Sequence, residues 1–151
     1  MRAKYQVLVL PYKKRGGKIW YCIFKRSDMD IWQFIAGGGE DEDASPLAAA
    51  KREAYEEAHI PLDEKYAILE TTCSIPTECF PKARRVWGET CLVIPEYCFA
   101  VELTNAGIKL SGEHTDFAWA DYQTAMGRLK YDSNKTALWE LDSKIRLGII
   151  P

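Results

Sequence analysis

A mixed α/β fold is predicted by three features of the chain. Strand-like segments stand on both sides of one amphipathic helix, a second block of helical periodicity closes the chain, and 47% of the 151 residues are hydrophobic. That size and apolar content suit one domain, residues 1–151, with its own core. The order is strands, helix, strands, helices, which differs from strict βαβ alternation and predicts a sheet of mixed direction.

Tyr5 to Tyr12 and Lys18 to Lys25 are rich in β-branched and aromatic residues and flank Lys13-Lys14-Arg15-Gly16-Gly17, which reads as a hairpin. Trp32 to Ile35 reads as a short strand feeding a glycine loop, Gly37-Gly38-Gly39. Ser45-Pro46 then supplies a cap and a first-turn proline for a helix from about Pro46 to Ala58, which Pro61 closes off. Along it Leu47, Ala50, Ala54 and Ala58 form one stripe, small enough for close packing on a sheet. Tyr66 to Ile75 and Cys91 to Leu103 are further strands. Between them Pro76 to Glu89 reads as a loop that carries Lys82, Arg84, Arg85 and Trp87 and could cover a substrate. Phe117 to Ala120 is a last short strand. Asp121 to Leu129 and Ser133 to Leu147 are helices, the second with Ala137, Leu138, Leu141 and Ile145 along one side.

Twenty basic residues against twenty-two acidic ones give a net charge of −2, so nucleic acid and an anionic membrane surface are not expected partners. Five cysteines, at 22, 73, 79, 91 and 98, form no C-x-x-C pair and leave an odd count. They read as reduced, mostly strand-buried thiols, and a cytoplasmic location is expected. Met1-Arg2-Ala3-Lys4 runs straight into a β-like stretch with no long apolar run.

The chemistry is concentrated in the central helix. At about 100° per residue, Glu53, Glu56 and Glu57 fall on one face, beside the glycines and the acidic run Glu40-Asp41-Glu42-Asp43. Converging carboxylates repel unless a cation sits among them, and oxygen donors suit Mg²⁺, with Mn²⁺ as a substitute. The plainer alternative is a solvated acidic helix face.

This segment resembles the Nudix box, G-x5-E-x7-R-E-U-x-E-E-x-G-U with U a bulky aliphatic residue, of the MutT-like Nudix superfamily. Gly38, Arg52, Glu53, Glu56, Glu57 and Ile60 match in register. Ala44 stands where the family has its first Glu, His59 where it has its last Gly, and Ala54 is small for a U position. The resemblance implies an α/β/α sandwich and a hydrolase of nucleoside diphosphates linked to another moiety. It also implies Mg²⁺ held by Glu53, Glu56 and Glu57 with a carbonyl from Gly37 or Gly38, and an Arg52 that orients the glutamates. The carboxylate missing at Ala44 usually braces that arginine, a role open to Asp43 or Glu42.

Shorter motifs resemble one branch of the family, the bacterial dihydroneopterin triphosphate diphosphatases, also described as dATP pyrophosphohydrolases. They are Lys25-Arg26-x-Asp28-x-Asp30-x-Trp32-Gln33, Glu113-His114 before Phe117-Ala118-Trp119, and Ser133-Asn134-Lys135. The implied substrate is a small nucleoside or pterin triphosphate, cleaved to a monophosphate and pyrophosphate. Lys25 and Arg26 are candidate phosphate donors, against a pair of solvated edge charges. Trp32 and Gln33 are candidates for the ring, against core packing and solvation. Ser133 and Asn134 stand at a helix start, as caps or as substrate contacts. The resemblance places a catalytic or metal-binding Glu at Glu113, and the general base is Glu113 or Glu53. His114 reads as structural and His59 as a helix-end residue favouring the dipole. A non-hydrolytic nucleotide sensor of the same family is the alternative that Ala44 and His59 suggest. Oligomeric state is open.

Overall fold

The computed structural model describes residues 1–105, 107–112 and 114–151. Among the described residues seven strands form a single sheet: β1 (Arg2–Arg15), β2 (Lys18–Arg26), β3 (Trp32–Gln33), β4 (Ile35–Glu40), β5 (Lys65–Pro76), β6 (Val93–Glu102) and β7 (His114–Ala120). Four helices accompany them: α1 (Pro46–Ala58), α2 (Pro81–Trp87), α3 (Tyr122–Arg128) and α4 (Asp132–Arg146). The long strand β1 is the spine. It runs parallel to β6 along one side, while β4 and β2 take turns against its other side, both antiparallel. Strand β2 continues past β1 to pair with β3 and β7, and β5 forms the outer strand beyond β6.

Alternation along the strands feeds two cores. Val7, Val9, Ile35, Phe99 and Val101 face α1, whose Ala49, Ala50, Ala54 and Ala58 are fully buried. Alanines let the helix axis approach the sheet, which fixes how closely the polar side of α1 sits to β4. Leu8, Leu10, Tyr21, Ile23 and Phe34 face the other way, toward Ala125 of α3 and Ala137, Leu138 and Leu141 of α4. The α/β/α arrangement expected from the sequence is therefore the one found, and α1 has the expected bounds. Ser45 Oγ accepts from the Ala48 N–H at its start.

Three local expectations change. The glycine run is a strand: Gly37 and Gly38 pair with Val7 and Gln6 of β1, so β1 supplies the order that a lone glycine sequence lacks. Residues 76–89 are not an open loop but a 3₁₀ turn (Thr77–Cys79) followed by α2. Ser133 and Asn134 lie inside the first turn of α4, where Tyr131 is the cap position. Asn134, 3% exposed, accepts from the Phe34 N–H at 2.8 Å and so satisfies the backbone in the break between β3 and β4.

Helix α4 is fastened to the outer strand by Glu140. The register of β5 against β6 shifts between Ile68 and Thr72, and the Glu140 carboxylate accepts from the N–H groups of Glu70 and Thr71 at 2.6 and 2.8 Å and from Thr71 Oγ1 at 2.6 Å. Lys144 Nζ stands 2.7 Å away. Burial by itself would raise this carboxyl, but the two backbone donors, Lys144 and Thr71 hold it at about 2, below its ordinary 4.5. A depressed carboxylate contributes its stability in full above the unfolded value and loses it as pH falls toward the folded one. Glu140→Gln should therefore lower unfolding stability at pH 7 by on the order of 2–3 kcal/mol. The gap between variant and wild type should shrink from pH 4.5 downward. Urea unfolding at pH 7, 4.5 and 3 checks this, and a gap independent of pH would refute the assignment.

Candidate active site

The polar side of α1 faces β4, and Arg52 organises everything between them. Its guanidinium donates to Asp43 through two parallel bonds, Nε to Oδ1 at 3.0 Å and Nη2 to Oδ2 at 2.8 Å. Nη2 also reaches the carbonyl oxygen of Gly38 at 3.0 Å. Nη1 donates to Glu53 at 3.0 Å and to Glu56 at 3.3 Å. A planar fork is suited to this: one group holds a carboxylate edge-on and still binds three further acceptors. The hydrogen bonds from Arg52 hold Asp43 below the usual carboxylate range, and those to Asp43 raise Arg52 further. Asp43 also accepts from the Glu40 N–H at 2.9 Å, which ties the end of β4 to the loop leading into α1. Of the two acids that could stand in for the carboxylate missing at Ala44, Asp43 makes this contact, while Glu42 lies exposed beside the N-terminal ammonium at 3.4 Å.

The glycines are required by close approach from both sides. A Cβ on Gly37 would collide with the Glu53 carboxyl, and one on Gly38 with the Arg2 guanidinium on the opposite face of the sheet. Only a bare backbone lets Glu53 lie against β4. Burial lifts the Glu53 carboxyl above its ordinary value. Glu53 interacts with Glu57, which is 3% exposed. Two largely buried carboxyls so close need a proton or a cation between them. Among the described residues no three acidic, histidine or cysteine side chains stand close enough to hold an ion as they are. Glu56, whose side chain is 56% exposed and whose link to Arg52 is the longest of the five, can turn toward the other two by side-chain rotation. The donor chemistry fits a hard divalent cation: carboxylate oxygens of Glu53, Glu56 and Glu57, and the second lone pair of the Gly38 carbonyl.

His59 follows α1 with φ +56, the left-handed conformation that glycine adopts most readily. Its backbone N–H caps the carbonyls of Ala54 and Tyr55, and its Nδ1 lies 3.2 Å from the Lys109 carbonyl oxygen. The helix-end reading of His59 thus has a backbone basis.

The other candidates lie elsewhere on the sheet. Lys25 pairs with Asp30 at 2.9 Å and Arg26 with Asp28 at 2.6 Å, at the end of β2 that adjoins β3 and β7 rather than β4. Trp32 is partly buried against the α3 and α4 core with Arg128 over its ring at 5.8 Å, and Gln33 is 7% exposed. Asn134 Nδ2 donates to Ser133 Oγ at 3.3 Å. His114 is buried on β7 against Phe24, with ring centroids 5.3 Å apart. Glu113 lies outside the described residues. Arg2, which sequence reading passed over, lies over Gly38 with Phe80 and Trp87 4.6 and 5.6 Å from its guanidinium carbon. The five cysteines are free thiols, and among the described residues no helix is long and apolar enough to cross a membrane.

Residues 3–139 match the NUDIX domain family. The dihydroneopterin triphosphate diphosphatase of Escherichia coli (strain K12) is 27% identical over 133 residues, 87% of each chain. The crystal structure of a Listeria monocytogenes str. 4b F2365 protein described as a NUDIX hydrolase superimposes with a TM-score of 0.87 at 39% identity, over 97% of both chains. The E. coli dihydroneopterin triphosphate pyrophosphohydrolase structure gives 0.73 at 23% identity, over 93% of this chain and 97% of that one, and shares the fold.

If Asp43 braces Arg52, then Asp43→Asn, which keeps shape and removes charge, should cut activity or divalent-ion affinity about 10–100-fold, the usual effect of losing a group that orients a metal-site residue. Ala44→Glu alone should leave turnover essentially unchanged. Metal titrations of the two variants decide the point: full activity of Asp43→Asn, or a large gain from Ala44→Glu, would show that the arginine is not held this way.

Proposed function

Since the chain belongs to the NUDIX domain family and is a Nudix hydrolase acting on phosphoric anhydrides, we propose that it is a Mg²⁺-dependent pyrophosphohydrolase of nucleoside or dihydroneopterin triphosphates. It releases a monophosphate and pyrophosphate, and residues 1–151 act as one catalytic domain. The observation that carries this reading is the Arg52 node, which gathers Asp43, Glu53, Glu56 and the Gly38 carbonyl within 3.3 Å of a single guanidinium. Glu53, Glu56, Glu57 and the Gly38 carbonyl would hold a divalent cation, which when bound would supply neutralisation of phosphate charge and a lowered pKa for water.

The chain's own residues do the rest. Arg52 fixes the rotamer of Glu53 and holds β4 against α1, so the acids are ordered before substrate arrives. Gly37, bare of a side chain, lets the Glu53 carboxyl lie on the strand where phosphates are to pass. Glu53, raised by burial, can take a proton from the attacking water; Glu113 is the other candidate for that base. Attack at the phosphorus nearest the sugar breaks its bond to the bridging oxygen, and the electron pair leaves on pyrophosphate. Lys25, Arg26, Trp32, Gln33, Ser133 and Asn134 remain substrate-binding candidates; the ion pairs of Lys25 and Arg26 would have to open for either to meet a phosphate. Against the sensor reading, which Ala44 and His59 motivated, stand the contact of Asp43 with Arg52 and the left-handed helix end that His59 supplies.

Glu57→Gln and Glu56→Gln should each lower turnover about 10²–10⁴-fold while the protein stays folded. In one preparation, dATP, GTP and dihydroneopterin triphosphate should be hydrolysed faster than ADP-ribose or diadenosine tetraphosphate, with pyrophosphate as the released species. Orthophosphate as the product, or preference for ADP-ribose or the dinucleotide, would remove the triphosphate reading. Near-full turnover of either glutamine variant at saturating Mg²⁺ would remove the assigned metal site.

A further inference from the structure

On the face of the sheet opposite α1, one carboxylate has no role so far. Glu96 of β6 is 4% exposed, and its Oε1 is buried without a hydrogen-bond partner. A buried polar atom left in this way costs on the order of 1–3 kcal/mol unless something arrives to pair with it.

Register places it in a row that crosses four strands. Glu96 stands opposite Cys73 on β5 and Gln6 on β1, and Gln6 stands opposite Gly38 on β4. The neighbouring row, with Cys98 and Leu8, belongs to the core covered by α3 and α4. In the Glu96 row that cover has ended: Cys73, Gln6 and Gly38 are all partly exposed. The row thus runs past the edge of that cover, from the Gly38 backbone under Arg2 to the buried carboxyl. Two strand spacings, about 10 Å, separate Glu96 from Gly38, a distance that a ring and a sugar can bridge. Above Gly38, Arg2 donates to Gln6 Oε1, and its Nε is also buried without a partner. Beyond Arg2, on the side away from Glu96, lies a groove of about 570 Å³ that Arg2 lines with Phe80, Pro81, Lys82 and Ala83.

We infer that Glu96 is the residue that selects the ring of the substrate, its carboxylate accepting two parallel N–H bonds from the 2-amino-4-oxopyrimidine edge shared by guanine and pterin, while the phosphates run toward Gly38. This rests on the triphosphate reading of the site. A carboxylate is an acceptor on both oxygens, so it matches an edge that offers two adjacent donors. Adenine offers one donor beside a lone pair and is mismatched, and hypoxanthine lacks the second donor. Burial alone raises the Glu96 carboxyl to about 7, and two N–H donors would favour its ionised form.

The test compares kcat/KM for GTP and ITP, which differ only by the 2-amino group, with dATP alongside, in wild type, Glu96→Gln and Glu96→Ala. Binding of GMP and IMP is followed in parallel by tryptophan fluorescence. Wild type should favour GTP over ITP about 10–100-fold, the value of one hydrogen bond to a charged acceptor. Glu96→Gln, with one donor and one acceptor, should erase that ratio and gain on dATP. Equal use of GTP and ITP by wild type, or a ratio unmoved in either variant, overturns the inference while leaving triphosphate hydrolysis intact. If no triphosphate is cleaved but GMP binds more tightly than IMP in a Glu96-dependent way, the hydrolysis reading fails and the ring-selecting role stands. Should a variant not fold, the wild-type ratio carries the test alone.

Discussion

The guanidinium of Arg52 is the constraint on which the site depends. It bonds at once to Asp43, Glu53, Glu56 and the Gly38 carbonyl, so it joins a loop, a helix and a strand at that level. Repulsion among the acids would drive the polar side of α1 away from β4. The two parallel bonds to Asp43 oppose that, and the buried alanines of α1 set the distance at which the opposition works. The geometry of the candidate site and the packing of α1 therefore rest on neighbouring contacts.

A second requirement is that the strand itself be thin. Glu53 approaches Gly37 from the α1 side and Arg2 approaches Gly38 from the other, so β4 is a partition with an acid on one face and a cation on the next. Side chains on either glycine would push these groups apart. The consequence is a backbone carbonyl, that of Gly38, available between a candidate ion site and a candidate ring site without any intervening side chain.

The parts of the molecule that rest on local chemistry were legible in the sequence. Helix α1 has its cap at Ser45, its proline at Pro46 and its alanine stripe written in consecutive residues, and its bounds agree with expectation. The glycine strand was not legible, because its order comes from pairing with β1, which no local propensity records. Asp43 could only be narrowed to one of two acids, since the choice depends on which one the loop turns inward. Ser133 and Asn134 looked like caps, yet Asn134 serves a backbone break a hundred positions earlier in the chain. Glu96 was hidden by its setting: in the alternation Ile94, Glu96, Cys98 it occupies an inward position, and period-two reading assigns such positions to the core rather than to recognition. Membership of the family settles the chemistry class, while the ring that is bound depends on side chains outside the shared motif.

The parallel pairing of β1 with β6 also governs how the chain reaches this state. Strand β1 is made before the other strands of this sheet, and its neighbour β6, bringing Glu96 to Gln6, is made only after β2, β3, β4, α1, β5 and α2. Until then one long side of the spine has open amide and carbonyl groups and a row of buried-type residues from Val7 to Leu10 exposed to other chains. Closing so large a loop is slow relative to hairpin formation. The nascent protein thus passes through an interval in which its hairpin and α1 can form while the sheet stays incomplete, and that interval, rather than the finished fold, is where aggregation competes with maturation.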